Sequence, residues 1–182
     1  MAAHTRICLI GAESTGKSSL AEELARRFGG VVVPEFAREY ALRVARPLDF
    51  FDAFPIARGQ IANQDRLTSS ASGVVILDTD LVSTVVYCRY YWGVCADWIE
   101  REAARRLADL YLFLDIDVPW IADPARDASA NREHVHAEFE SALHEFKVRH
   151  VTIGGNWEER KRKAIEAIHA AVDRRGGGGE GR

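Results

Sequence analysis

Short apolar runs without polar alternation recur along the chain at 7–10, Val31–Val33, 74–77 and Leu110–Leu114, with a weaker fifth at His150–Ile153. Runs that keep no polar face predict strands covered on both sides, the condition of a parallel sheet between two layers of helices. Between the runs the period changes. Leu20, Leu24 and Phe28 recur every four residues beside Ala21 and Ala25, and Gly29-Gly30 supplies a stop, so an amphipathic helix is expected to end there. Further helices are expected over about 55–70, opening after Asp52, over 81–91, capped by Thr79 or Asp80, and over 97–108, capped by Asp97. Asn156 with Glu159 forms a capping-box pattern that opens a last helix, with Trp157, Lys161, Ala164, Ile165, Ile168 and Val172 as its packing stripe.

Strands alternating with helices imply βαβ crossovers and a three-layer α/β sandwich around one five-stranded parallel sheet. One domain over 1–173 accounts for these elements. Residues 174–182 carry five glycines and no apolar side chain, and are expected to be a disordered tail. The polar segment at about 119–132 is too long for a tight turn and reads as a lid, with Trp120 as its apolar anchor.

Composition narrows the picture. At 182 residues and 47% hydrophobic, the chain can bury a full core without a disulfide or metal staple. Cys8, Cys88 and Cys95 are too scattered for a disulfide framework, which suits a reducing, cytoplasmic setting. A net charge of −3 gives no general attraction for nucleic acid or an anionic membrane, and neither a signal peptide nor a membrane span is expected from the sequence pattern. The basic run 160–163 reads as a solvated face of the last helix.

The strongest chemical signal is Gly11-Ala12-Glu13-Ser14-Thr15-Gly16-Lys17-Ser18, a complete G-x-x-x-x-G-K-[ST] pattern between a strand run and a helix pattern. Such a phosphate loop (P-loop) turns successive N–H groups into an anion nest and adds the positive end of the following helix. Gly11, Glu13, Ser14, Thr15, Gly16, Lys17, Ser18 and Ser19 are the expected ATP contacts. Lys17 would reach the outer phosphates, and the Ser18 hydroxyl would join the shell of a Mg²⁺ ion. No N-K-x-D guanine reader is present, so adenine is favoured.

Asp78 closes an apolar run and is the expected carboxylate for metal or base, while Asp80 suits a helix cap. Glu35 follows the second run, so a parallel sheet brings it to the same edge as the phosphate loop, where it would orient or deprotonate an acceptor hydroxyl. Arg38, one turn on, would clamp that acceptor or pair with Glu35. Arg126 and Arg132 are the lid cations expected to meet the transferring phosphoryl group. Among the aromatic residues Tyr87, Tyr90, Tyr91 and Trp92, Tyr91 is the expected stacking partner of a planar heterocycle. This set predicts a P-loop kinase for a small nucleoside. Another deoxynucleoside or nucleotide acceptor, and a nucleotide-binding sensor without turnover, remain alternatives.

Taken together, Gly11 to Ser18, Pro34-Glu35-Phe36-Ala37-Arg38-Glu39-Tyr40, Asp78-Thr79-Asp80, Tyr91-Trp92-Gly93 and Val118-Pro119-Trp120-Ile121-Ala122-Asp123 to Arg126 resemble the ribosylnicotinamide kinase domain of the NadR type. The resemblance implies an ATP- and Mg²⁺-dependent kinase acting on the ribose 5′-hydroxyl of nicotinamide riboside. It implies that Lys17 and Ser18 hold phosphate and metal, that Asp78 serves metal or base, that Glu35 and Arg38 meet the acceptor, that Tyr91 stacks on its ring, and that Arg126 belongs to the lid. Pro34 departs from the pattern, since bifunctional members carry an aromatic residue there.

Overall fold

The computed structural model describes residues 4–69, 71, 73–119 and 131–176, the side chains of 175 and 176 excepted. Its strands are β1 (Thr5–Ile10), β2 (Val31–Val33), β3 (Val74–Asp78), β4 (Leu110–Leu114) and β5 (His150–Ile153). All pair in parallel, in the order β2-β3-β1-β4-β5. The helices are α1 (Lys17–Phe28), α2 (Phe36–Val44), α3 (Ala53–Ser69), α4 (Leu81–Trp92), α5 (Asp97–Arg105), α6 (Arg132–Glu145) and α7 (Trp157–Gly176).

The strand alternation sorts the core into two layers. Ile7, Leu9, Val74, Ile76, Leu110, Leu112 and Leu114 face α1 and α7, against Leu20, Leu24, Ala164 and Ile168. Cys8, Ile10, Val75, Leu77, Tyr111 and Phe113 face the opposite way, against residues of α3 to α6 such as Ala57, Val85, Ile99 and Phe139. The central strands are apolar on both sides because each side has a helical cover, while β2 and β5 at the edges are only partly buried. The parallel register puts every strand's carboxyl end on one edge, with Leu9 opposite Asp78, Val33 opposite Leu77, and Leu114 opposite Ile153.

Several boundaries differ from the sequence expectation. Ala96 is the N-cap residue of α5, and Asp97 is its first helical residue, where a carboxylate still meets the positive helix end. That helix stops at Arg105. Helix α3 begins at Ala53, so Pro55 lies within its first turn, where its missing N–H has no carbonyl to meet. Helix α7 continues through Arg174 to Gly176, and the Arg174 Nε donates to the Ala170 carbonyl at 2.9 Å. The ordered unit therefore passes the expected limit at 173, and residues 177–182 lie outside the described residues. Arg132, at the end of the expected 119–132 segment, is the first residue of α6, and 120–130 lie outside the described residues.

The packing stripe of α7 is also rotated from its expected phase. Its buried residues are Arg160, Ala164, Ile168 and Ala171, whereas Trp157 and Val172 are exposed. Arg160 is only 2% exposed, which overturns the reading of 160–163 as a uniformly solvated face. The solvated pairs of that run are Lys161 with Glu158 and Arg162 with Glu166.

Candidate active site

The chain leaves β1 at Gly11, whose φ of +138° no ordinary L-residue adopts readily. A Cβ there would also stand 2.8 Å from the Leu114 carbonyl oxygen. Ser14 and Gly16 are left-handed, at φ 55° and 86°, so the loop curls back before α1 starts at Lys17. This is the backbone curl of an anion nest at a helix N-terminus. Thr15 Oγ1 donates to the Ala12 carbonyl at 2.9 Å, and Lys17 Nζ donates to the Gly11 and Ala12 carbonyls at 2.8 and 2.7 Å. Lys17 is 7% exposed, so its charge is held over the loop rather than in solvent. Ser18 is half-buried, Ser19 exposed, and Glu13 half-buried in the loop.

Two arginines reach the loop from elsewhere. Arg132 donates to the Val118 carbonyl at 2.7 Å and to the Ser14 carbonyl at 3.3 Å. Burial and the neighbouring Arg160 charge pull its guanidinium below the usual arginine range. Arg160 donates to the Thr15 carbonyl at 3.1 Å. Arg132 was expected as a lid cation over the transferring phosphoryl group, and the structure places its guanidinium on the Ser14 and Val118 carbonyls. Arg126 lies outside the described residues.

Across the sheet edge, Asp78 is the last residue of β3 and is buried. Thr79 after it holds a φ of +72°, uncommon for a β-branched residue, while its N–H donates to the Leu9 carbonyl at 3.1 Å. That turn separates the two acids. Asp80 caps α4 through the Val82 N–H at 2.9 Å and accepts the Tyr111 hydroxyl at 2.5 Å. Burial raises its carboxyl pKa, against these hydrogen bonds. Asp80 is thus a structural acid, and Asp78 is the one beside the loop strand.

Glu35 stands at the N-cap position of α2 but makes no side-chain capping bond. The capping role falls to Gln60 on α3, whose Oε1 accepts the Phe36 N–H at 2.8 Å. The Gln60 amide nitrogen also faces the Thr79 carbonyl at 3.5 Å. One buried side chain therefore ties the segment after Glu35 to the segment after Asp78. Sequence reading missed Gln60 because a glutamine inside a helix carries no local signal of what it caps. The Phe36 ring lies against Gly59, where a Cβ would stand 2.2 to 2.4 Å from three ring carbons.

Arg38 is exposed on α2. Tyr91 is 45% exposed and stacks on Tyr87, with centroids 6.1 Å apart and planes 18° apart. Helix α4 carries Tyr91 about 15 Å along its axis from Leu81, at 1.5 Å of rise per residue. The structure thus gathers the loop, Arg132, Glu35 and Asp78 at one edge, and sets Tyr91 near the far end of α4.

The donor set suits a hard cation. Ser18 and Asp78 offer one hydroxyl and one carboxylate, too few for a protein-only cage and appropriate to an ion that also takes phosphate oxygens and water. Among the described residues no group of three or more His, Cys, Asp or Glu could hold a metal by itself. No helix of the described residues is long and apolar enough to cross a membrane.

The chain is 29% identical over 146 residues to the trifunctional NAD biosynthesis/regulator protein NadR of Escherichia coli (strain K12), covering 77% of this chain and 35% of that protein. It superposes on NadR solved in complex with NR with a TM-score of 0.81 and 25% identity, covering 93% of this chain and 51% of the other. NadR in complex with NAD and AMP-PNP matches with a TM-score of 0.77 and 25% identity, over 93% of this chain and 50% of that one. The chain thus spans from about a third to about half the length of these relatives. The sequence profile of the AAA domain family matches residues 6–160, from the strand that feeds the phosphate loop to the buried arginine that holds it, and the chain belongs to that family.

Proposed function

We propose that this chain is an ATP-dependent kinase that transfers the γ-phosphoryl group to the 5′-hydroxyl of nicotinamide riboside, forming the mononucleotide used in NAD salvage. One observation carries the reading. The phosphate loop shares a sheet edge with two acids, Glu35 and Asp78, whose segments are tied together by Gln60. A phosphate binder alone has no need of that second arrangement. The likeness to NadR bound to NR and to AMP-PNP supports the choice of acceptor and donor.

In this reading the loop N–H groups and Lys17 hold the triphosphate, with Glu13, Ser14, Thr15, Gly16, Ser18 and Ser19 around it, and Arg126 and Arg132 close over the transferring group. Ser18 and Asp78 would hold Mg²⁺, which supplies charge neutralisation between the β- and γ-phosphates when bound. Glu35 or Asp78 takes the proton of the acceptor hydroxyl as its oxygen bonds to the γ-phosphorus. The bond from that phosphorus to the β–γ bridging oxygen breaks, and ADP leaves with the electron pair. Arg38 meets the acceptor, and the exposed ring of Tyr91 meets its distal heterocycle. The three cysteines, all buried and free, fit a reducing cytoplasm.

The test is a nucleoside panel incubated with protein, ATP and Mg²⁺, with products identified by mass. Nicotinamide riboside is expected to give the mononucleotide with the highest kcat/KM. Faster turnover of a deoxynucleoside or a nucleoside monophosphate would reassign the acceptor. ATP loss no greater than background with every nucleoside would leave a nucleotide-binding sensor.

A further inference from the structure

Arg160 is the least expected charge in the molecule. A guanidinium at 2% exposure is costly unless it is hydrogen-bonded, and here each of its three nitrogens donates to a named acceptor. Nε donates to the Gly155 carbonyl at 2.8 Å, Nη1 to the Thr15 carbonyl at 3.1 Å, and Nη2 to the Asp115 carbonyl at 3.1 Å and to the Asp117 carboxylate. Three segments meet at this one side chain: the phosphate loop, the exit of β4, and the turn after β5. Asp117 is fastened in the same way, because the Gly155 N–H donates to it at 2.5 Å.

A trans peptide shows its carbonyl and its N–H to opposite sides. Holding the Thr15 carbonyl from the α7 side therefore turns the Gly16 N–H toward the concave side of the nest. Arg132 does the same for the Ser14 carbonyl and the Thr15 N–H, from the Val118 carbonyl on the same β4 exit. We infer that Arg160 is a positioning residue of the phosphate loop: with Asp117 it fixes the Thr15–Gly16 peptide with its N–H toward the bound phosphates, and ties that peptide to the exit of β4. The inference rests on the nucleotide-binding half of the proposed function and not on the acceptor.

Calorimetric titration of the full chain with AMP-PNP and Mg²⁺, beside thermal melts and steady-state kinetics, tests it. Arg160→Lys keeps the charge but loses the planar fork, so its AMP-PNP Kd is expected to rise at least about tenfold, or about 1.4 kcal/mol. KM for ATP should rise with it, while KM for the acceptor stays within about twofold, a split that loosened packing alone would not produce. Asp117→Asn removes the charge from one of the two Arg160 bonds at the β4 exit and keeps the Asp115 and Thr15 carbonyl bonds, so a smaller rise, of about twofold to fivefold, is expected in the same direction. A folded Arg160→Lys protein that binds AMP-PNP as wild type does would overturn the inference. Should that variant not fold, Asp117→Asn decides: unchanged AMP-PNP affinity overturns it, and a raised Kd supports it. If the wild type binds AMP-PNP but phosphorylates no nucleoside, the kinase reading falls and this inference stands. If the wild type does not bind AMP-PNP, both fall.

Discussion

Glu35 stands at the N-cap position of α2 without making the capping bond, and the proposed function places it in the proton path. Gln60 takes the helix-capping bond and Asp80 caps α4, while Glu35 and Asp78 stand at the loop edge, where the proposed function gives them the acceptor hydroxyl and the metal. Glu35→Gln keeps the shape and removes the charge, and it should lower kcat by about 10²-fold or more while KM for ATP changes less than about twofold. An unchanged kcat would remove Glu35 from the proton path. Tyr91 belongs to the acceptor alone in this account. Tyr91→Ala should raise the acceptor KM about threefold to tenfold, the range of one lost aromatic contact, and leave KM for ATP unmoved; equal KM values would restrict the ring to packing on Tyr87. Much of this residue scale was legible, since the loop, Asp78 and the capping role of Asp80 follow from motif and position. Arg160 was legible in principle, because 160, 164, 168 and 171 share one helical face. Its basic neighbours hid it: Lys161, Arg162 and Lys163 make the run look solvated, and its partners lie as far away as Thr15, which no local pattern encodes.

At the scale of elements, the central strands β1, β3 and β4 were the readable part because burial on both faces makes them nearly all apolar, whereas the edge strand β5, with His150 and a solvent-facing Thr152, gave the weaker run. Helices α2 and α6 gave weaker patterns. Helix α2 has no buried residue, so it lacks a stripe to read, and α6 buries Val135, Phe139, Ala142 and Leu143 among charged and histidine residues. The contact between α2 and α3 is set by one glycine. Replacing a helical glycine with alanine ordinarily stabilises by about 1 kcal/mol. Gly59→Ala should reverse that sign, because the new methyl group would occupy the space of the Phe36 ring, and a destabilisation of about 1–3 kcal/mol is expected. Urea denaturation reads the sign directly, and a stabilised variant would show that Phe36 does not press on α3. Since Phe36 follows Glu35, the same variant should also weaken acceptor binding.

Over the whole molecule, charged side chains fasten the helices that the sheet does not hold. Arg89 on α4 bonds Glu100 on α5 and Glu145 on α6, and Arg106 joins Asp65 on α3 to Glu102 on α5. Asp52 is the most enclosed of these acids: Arg46 reaches both its oxygens at 2.6 and 2.8 Å, and the Tyr40 hydroxyl adds a bond at 2.8 Å. The Arg46 hydrogen bonds lead in holding its carboxyl down to about 2, against burial. A carboxyl depressed on folding stabilises fully above its unfolded value near 3.8 and loses that contribution as pH falls toward 2. Urea midpoints of the wild type should therefore drop between about pH 4 and pH 2, and Asp52→Asn should be less stable at pH 7 with a shallower acid limb. An acid limb unchanged by the substitution would show that Asp52 is not part of it. The central claim concerns the shared sheet edge, and the most direct measurement is a crystal structure of the chain with AMP-PNP, Mg²⁺ and nicotinamide riboside. The account predicts the γ-phosphate in the loop, the 5′-hydroxyl facing it, and the Glu35 or Asp78 carboxylate within hydrogen-bond distance of that hydroxyl. Both carboxylates turned away from the hydroxyl, with the riboside bound elsewhere, would contradict it.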